Sequence, residues 1–150
     1  MGHTYTNLLT HIIFSTKDRV PYLKAEERDE LFAYIVGVAQ SLNVQPIKVG
    51  GHEDHLHLLL RIPASLALSD VVSKIKSNAS RWIHQRGLLH RSFAWQNGYA
   101  AFSVSESAVN DVVAYIANQG THHRKISFQE ELVVFLRKNG IEYDERYIWT

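Results

Sequence analysis

The segment from Val44 to Pro63, VQPIKVGGHEDHLHLLLRIP, leaves this chain little choice but a β-hairpin. Val44 to Gly50 is extended, the Gly50-Gly51 pair turns the chain, and His55 to Ile62 is an apolar strand that Pro63 stops, because proline cannot donate to a ladder. The flanks alternate strand and helix patterns. Tyr5 to Ser15 is rich in Thr, Tyr, Ile and Phe without Gly or Pro, so a first strand is expected, ending at a Lys17-Asp18-Arg19 turn closed by Pro21. From Lys24 to Leu42 the residues Leu31, Ile35, Val38, Ala39 and Leu42 recur at helical spacing, with Glu26, Glu27, Asp29 and Glu30 near the electropositive N-terminal end.

The second half continues the alternation. Ser69 is placed to cap a helix with an apolar stripe of Val72, Ile75, Ala79 and Ile83, which Gly87 ends. Ser92 to Val104 reads as two short extended pieces around a Gln96-Asn97-Gly98 turn. Ser105 then opens a helix with Val109, Val112, Val113 and Ile116 on its buried face and Gly120 at its end, and a last helix runs from Ser127 to Lys138 before Gly140. Strand, helix, strand, strand, helix, strand is the order of an α+β, ferredoxin-like split β-α-β fold with an antiparallel sheet, here followed by C-terminal helices. With no repeat and no Ser, Gly or Pro tract, the expectation is a single domain over 1–150, a length that buries roughly 68 to 70% of the unfolded surface.

Composition narrows the function classes. Sixteen Lys plus Arg against fifteen Asp plus Glu give a net charge of +1, so the chain is no polycation and any nucleic-acid surface is local. The absence of cysteine excludes disulfides, thiolate metal sites and cysteine nucleophiles, and it fits a cytoplasmic location. No apolar run approaches a spanning helix, and the first residues lack a signal-peptide pattern, so neither membrane insertion nor export is expected. Nine histidines raise the question of metal or phosphate chemistry.

Two placements bear on that question. In His55-Leu56-His57 the alternation of a strand sends both imidazoles out of one face, which suits either a metal-ligand pair or two hydrogen-bonded strand residues. Tyr115 and Gln119, four residues apart on the Ser105 helix, stack on one flank together with His122, which suits either a tyrosine at the core boundary or a catalytic one. Asp54 and Glu53 stand beside the histidines, as imidazole acceptors or as turn residues. Trp95, Tyr99 and Phe102 read as core or interface residues rather than base-stacking ones.

Together these elements resemble the HUH single-tyrosine transposases of insertion sequences, the 200/605-like group. His55-Leu56-His57 is similar to the family's histidine, hydrophobic residue, histidine motif, and Tyr115-Ile116-Ala117-Asn118-Gln119 to its helical tyrosine with a metal-binding glutamine one turn on. The likeness extends through Phe14-Ser15-Thr16-Lys17 with Arg19 and Pro21, the GGHEDHLHLLL block, Trp95-Gln96-Asn97-Gly98-Tyr99 and Val104-Ser105. The resemblance implies Tyr115 as nucleophile, His55, His57 and Gln119 as ligands of Mg²⁺ or Mn²⁺, a covalent 5′-phosphotyrosine intermediate, and no nucleotide cofactor. Two imidazoles and an amide suit Mn²⁺ better than Mg²⁺ on donor chemistry alone. The implied partners are single-stranded DNA with hairpin ends and a second copy of the chain, with Ile148 and Trp149 available for docking. For hairpin phosphates the resemblance points to the basic segment holding Lys74, Lys76, Arg81, Arg86 and Arg91 with His84 and His90, and to the cluster His122-His123-Arg124-Lys125, whose alternative use is to cap helix carbonyls.

Three function classes stand at this point. They are a DNA-rejoining transposase, a metal-dependent phosphodiesterase or nuclease that activates water at His55 and His57, and a non-catalytic nucleic-acid-binding ferredoxin-like module. A paired His-x-Thr or His-x-Ser would favour a metal-free phosphoesterase, and aromatic pairs on two central strands an RNA-recognition sheet; the sequence has neither.

Overall fold

The computed structural model describes residues 2–86, 91–123 and 125–148. Gly87, His90, Arg124 and Trp149, singled out above, lie outside the described residues. The chain runs β1 (Leu9–Ser15), α1 (Ala25–Ser41), β2 (Gln45–Gly51), β3 (His55–Arg61), α2 (Leu68–His84), β4 (Ala100–Ser103), α3 (Val109–Ala117), α4 (Gln119–His122) and α5 (Phe128–Lys138). The four strands form one antiparallel sheet in the order β2-β3-β1-β4. That order follows from two split β-α-β crossovers and is the α+β arrangement read from the sequence.

The two central strands are covered on both faces. Leu56, Leu58 and Leu60 of β3 share a face with Ile12 and Phe14 of β1, and this face packs on Leu31, Ile35 and Ala39 of α1 and on Val72, Ile75, Ala79 and Ile83 of α2. The alternate residues, His55, His57 and Leu59 of β3 with His11, Ile13 and Ser15 of β1, point to the opposite face. There Phe128, Leu132 and Leu136 of α5 pack on Ile13 and on Phe102 of β4. Among the described residues no helix is long and apolar enough to cross a membrane.

Several boundaries differ from the sequence reading, each for a local reason. β1 starts at Leu9 rather than Tyr5, because its ladder on β3 begins at the Leu9–Arg61 pair and Pro63 prevents any extension. Tyr5 is accordingly exposed. Of the two extended pieces expected in Ser92 to Val104, only β4 is a strand; the first contributes a single Thr16–Trp95 bridge. Its Gln96 instead clamps the end of β1, donating N–H to Ser15 O at 3.0 Å and accepting from Ser15 N at 2.7 Å. Helix α2 starts before Ser69, with Ala67 at the capping position, while Ser105 precedes a 3-10 turn over Glu106–Ala108.

The tyrosine helix is interrupted. It ends at Ala117, Asn118 leaves helical geometry with φ −99° and ψ 22°, and the short α4 follows. Of Val109, Val112, Val113 and Ile116, Ile116 alone is fully buried. It lies against β2 at Gly50, where an added Cβ would stand 2.6 Å from Ile116 Cγ2 and 2.9 Å from its carbonyl oxygen. At Gly51 a Cβ would stand 2.3 Å from His55 O. The glycine pair therefore serves two close approaches, one to α3 and one to the turn into β3.

Candidate active site

The exposed-looking half of β3's alternation becomes a buried imidazole floor once α3, α4 and α5 close over it. His55 and His57 are both fully buried, with ring planes 74° apart and centroids 5.2 Å apart. Asp54 Oδ1 accepts from His55 Nδ1–H at 2.7 Å, which leaves the Nε2 lone pair facing inward. That hydrogen bond, with the His55 and His123 charges, outweighs burial and holds the Asp54 carboxyl below its ordinary value. His57 Nδ1 lies 2.8 Å from His11 Nε2 of the neighbouring strand, and its Nε2 lies 2.9 Å from Glu131 Oε1. Burial lowers His57 to about 4 and, with the His57 ring beside it, His11 to about 3, so both are neutral imidazoles at pH 7.

Above this floor sit the residues of the interrupted helix and of α5. Gln119, which the break at Asn118 turns inward, is 1% exposed, and its Oε1 lies 3.0 Å from His55 Nε2 and 2.8 Å from His123 Nε2. Its amide nitrogen donates to Tyr115 O at 3.3 Å, fixing the oxygen toward the imidazoles. The Tyr115 hydroxyl donates to Glu131 Oε2 and lies 3.0 Å from His122 Nε2, and its ring is 5.7 Å from that of His57. Burial and the Glu131 carboxylate together raise the Tyr115 phenol above its ordinary value, so it carries its proton in this state. Glu131 is also 1% exposed. Burial alone would raise its carboxyl, but hydrogen bonds from His123, His57 and Tyr115 overturn this and keep it ionised well below the usual carboxylate range.

All three predicted ligands and the predicted nucleophile therefore meet in one place. His11 and Glu131 join them without having been singled out, and so does His123, which the sequence offered only as part of a cationic cluster for phosphates or helix carbonyls. Glu131 left a trace in the sequence, since it falls within the apolar stripe Phe128, Leu132, Phe135 and Leu136 of α5, where an unpaired carboxylate would be costly. His11 shares the parity of Ile13 and Ser15. His123 left none, because its position depends on the break at Asn118. Six of the nine histidines, at positions 11, 52, 55, 57, 122 and 123, are linked here by ring contacts.

The donor chemistry fits a cation. Glu131 and Gln119 Oε1 are acceptors, and Nε2 is the inward nitrogen of both His55 and His123, a lone pair whenever the ring is neutral, since Nδ1–H is donated to Asp54 at 2.7 Å and to Ile126 O at 2.9 Å. Acceptors converge at such distances only around protons or a metal ion. Glu131 raises His123 against the opposing effect of burial, so a proton and a cation compete for the same nitrogen. Beside Tyr115 a cavity of about 330 Å³ opens between α3 and α5, walled by Val112, Ile126, Val134 and Phe135.

Residues 4–119 match the sequence profile of the family described as "Transposase IS200 like". The chain belongs to that family. The IS200-like match thus covers the sheet, His55, His57, Tyr115 and Gln119, and stops before His123 and α5. The chain is 26% identical over 125 residues to the transposase for insertion sequence element IS200 of Salmonella typhimurium, covering 79% of this chain and 81% of the relative. It is 27% identical over 123 residues to the ISDra2 transposase TnpA of Deinococcus radiodurans, covering 79% and 87%. A crystal structure described as that of "a putative transposase" from Deinococcus radiodurans superposes with a TM-score of 0.63 at 26% identity, covering 79% of this chain and 96% of that one. The fold is shared, at 16% identity and a TM-score of 0.61, with a REP-associated tyrosine transposase bound to a REP hairpin, covering 84% and 74%.

The cationic residues expected at DNA are placed less uniformly than the site. Lys74 and Arg81 are exposed on α2, on the side of the sheet away from Tyr115. Lys76 is committed to the Gln96–Gly98 turn, donating to Gln96 O at 2.8 Å and Gly98 O at 2.7 Å, with its ammonium 5.1 Å from the Phe14 ring centroid. Burial lowers it to about 8. His122 lies at the tyrosine itself, 3.1 Å from Glu131 Oε2.

Proposed function

We propose that this IS200-like transposase cleaves and rejoins single-stranded DNA at insertion-sequence ends, with Tyr115 as a single-tyrosine HUH nucleophile. The observation that supports this most directly is the meeting of the Tyr115 hydroxyl with the His55–His57 floor inside one chain. The phenolic oxygen attacks the scissile phosphorus and gives its proton to the imidazole already in contact with it, His122. The bond to the 3′ oxygen breaks, that oxygen takes up a proton, and the 5′ phosphate stays on Tyr115. Because the ester keeps the energy of the broken bond, the 3′ hydroxyl of another end can reverse the step without ATP.

His55, His57 and Gln119 would hold a divalent cation, Mg²⁺ or Mn²⁺, which when bound polarises the scissile phosphate. Asp54 orients His55 for this, and His11 does the same for His57. The cavity beside Tyr115 leaves room for the nucleotide that flanks the cleaved bond. A solved protein of the same fold is bound to a REP hairpin, and a hairpin-bearing single strand is the substrate class taken here. Lys74 and Arg81 would contact its phosphates, reaching past the sheet edge, with Lys76 setting the turn between them and the strands. We place the reaction in the cytoplasm and in a homodimer, with each tyrosine beside its own chain's histidines. Incubation with labelled end strands tests the reading: transposase chemistry yields a free 3′ hydroxyl and a 5′ end blocked by protein, a water-activating nuclease two free ends, and a binding module no cleavage.

A further inference from the structure

We infer that Glu131 and His123 are themselves ligands of the divalent cation, so that α5 closes the metal site and its docking is linked to metal binding. This rests on the reading that His55 and His57 hold a cation, and it adds residues outside the 4–119 family match.

Four donor groups, His55, His57, His123 and Glu131, have ligand atoms within 4.8 Å of one another. Glu131 Oε1 stands 2.9 Å from His57 Nε2 and 3.6 Å from His55 Nε2, and Oε2 stands 3.3 Å from His123 Nε2. A metal with bonds of about 2.1 Å separates adjacent ligands by about 3.0 Å in an octahedron and about 3.4 Å in a tetrahedron. The three carboxylate–imidazole spacings, 2.9, 3.3 and 3.6 Å, lie near those edges.

Each donor is also oriented from behind. Asp54 holds His55 by Nδ1, Ile126 O holds His123 by Nδ1, and His11 meets Nδ1 of His57, and each of the three Nε2 atoms lies within 3.6 Å of a Glu131 oxygen. Glu131 is delivered by a helix whose start is fixed by a capping box, Ser127 Oγ accepting from Glu130 N at 3.2 Å while Glu130 reaches back to Ser127 N. Its apolar neighbours Phe128 and Leu132 anchor it to the sheet, and the Phe128 ring stacks on His55 with centroids 4.5 Å apart.

The enlarged set keeps the preference for Mn²⁺ and adds charge to the site. Two imidazoles and an amide carry no charge, whereas Glu131 adds a hard anionic oxygen and His123 a third nitrogen. A nitrogen-rich set with one carboxylate selects Mn²⁺ over Mg²⁺, which prefers oxygen and water.

The test is hydrogen exchange and calorimetry on the full chain with Mn²⁺ alone as the probe. In the wild type, Mn²⁺ is expected to protect the amides of α5 (Phe128–Lys138) from exchange, and Glu131→Gln is expected to bind Mn²⁺ more weakly by over about a hundredfold, beyond what loss of a partner that only orients a ligand costs. Glu131→Asp, which keeps the carboxylate, should recover part of the loss, and His123→Asn should behave like Glu131→Gln. If α5 exchange in the wild type is unchanged by saturating Mn²⁺, or if Glu131→Gln and His123→Asn bind Mn²⁺ as tightly as wild type while His55→Ala/His57→Ala does not, the added ligands are wrong and the histidine site stands. If the double histidine variant binds as tightly as wild type, the cation reading beneath the proposal fails.

Discussion

Gly50→Ala is a one-carbon probe of whether α3 reacts from the seat it occupies here. The new Cβ would stand 2.6 Å from Ile116 Cγ2 and 2.9 Å from Ile116 O, where ordinary contact begins at 3.4 Å. The side-chain clash can relax by a rotamer change, but the carbonyl belongs to the helix, so α3 has to lift by about 0.5 Å, the difference between 3.4 and 2.9 Å. Tyr115 precedes Ile116 and moves with it, away from His57 and Glu131. A displacement of about 1 Å at a reacting group costs on the order of a hundredfold in rate, so half of that predicts about tenfold. Overpacking should also lower stability by about 1 to 3 kcal/mol. Single-turnover cleavage of a labelled end strand gives the rate, urea unfolding the stability, and a gel shift on the hairpin should be unchanged. Wild-type cleavage and stability in Gly50→Ala would mean that α3 is not seated on β2 when the strand is cut.

Further outcomes follow from the same geometry. Lys74→Glu with Arg81→Glu should weaken hairpin binding and flatten its salt dependence, which falls by a slope of about 0.7 per phosphate contacted on a single strand; an unchanged slope in a fluorescence titration would remove α2 from the interface. His11 and His57 are held at about 3 and about 4, below the unfolded value near 6.5, so the unfolded chain binds more protons between those limits and stability must fall as pH drops below about 6.5. For His11 the loss between pH 7 and pH 5 is about 2 kcal/mol, and urea unfolding in EDTA should show it, with a flatter profile in His11→Gln. Because Tyr115 sits beside its own chain's histidines, mixing Tyr115→Phe with His55→Ala chains should restore no cleavage, whereas recovery would show that α3 is shared between protomers.

How much of this was legible beforehand depended on range. The order β-α-β-β-α-β came through because strand and helix periods are local, and so did the β2–β3 hairpin, but its turn lies at His52–Asp54 rather than at the glycines, since Gly50 and Gly51 pair with His57 and Leu56 inside the ladder. His55 and His57 were placed on one face by the two-residue alternation alone, and the structure keeps them there. Gln119 was read as lying on a continuous helix with Tyr115; it reaches the site by a different route, the interruption at Asn118, which no local pattern announces. His123 owes its position to that interruption. Glu131 reaches Tyr115 across sixteen residues, through the packing of α5 on β1 and β4. Its position in an apolar stripe was visible, but its partner was not, since long-range side-chain pairs follow from tertiary packing.

The central claim is that Tyr115 is the covalent nucleophile, and mapping the trapped protein–DNA adduct tests it most directly. Wild-type chain incubated with a single-stranded end labelled 3′ of the cut, in Mn²⁺, should carry the label through a denaturing gel. Digestion and mass spectrometry should then place the nucleotide on the peptide that contains Tyr115. Tyr115→Phe loses only a hydroxyl and its bonds to Glu131 and His122, so it should remain folded, bind the hairpin and form no adduct. An adduct of wild-type yield in Tyr115→Phe, or one mapped to another residue, would contradict the account.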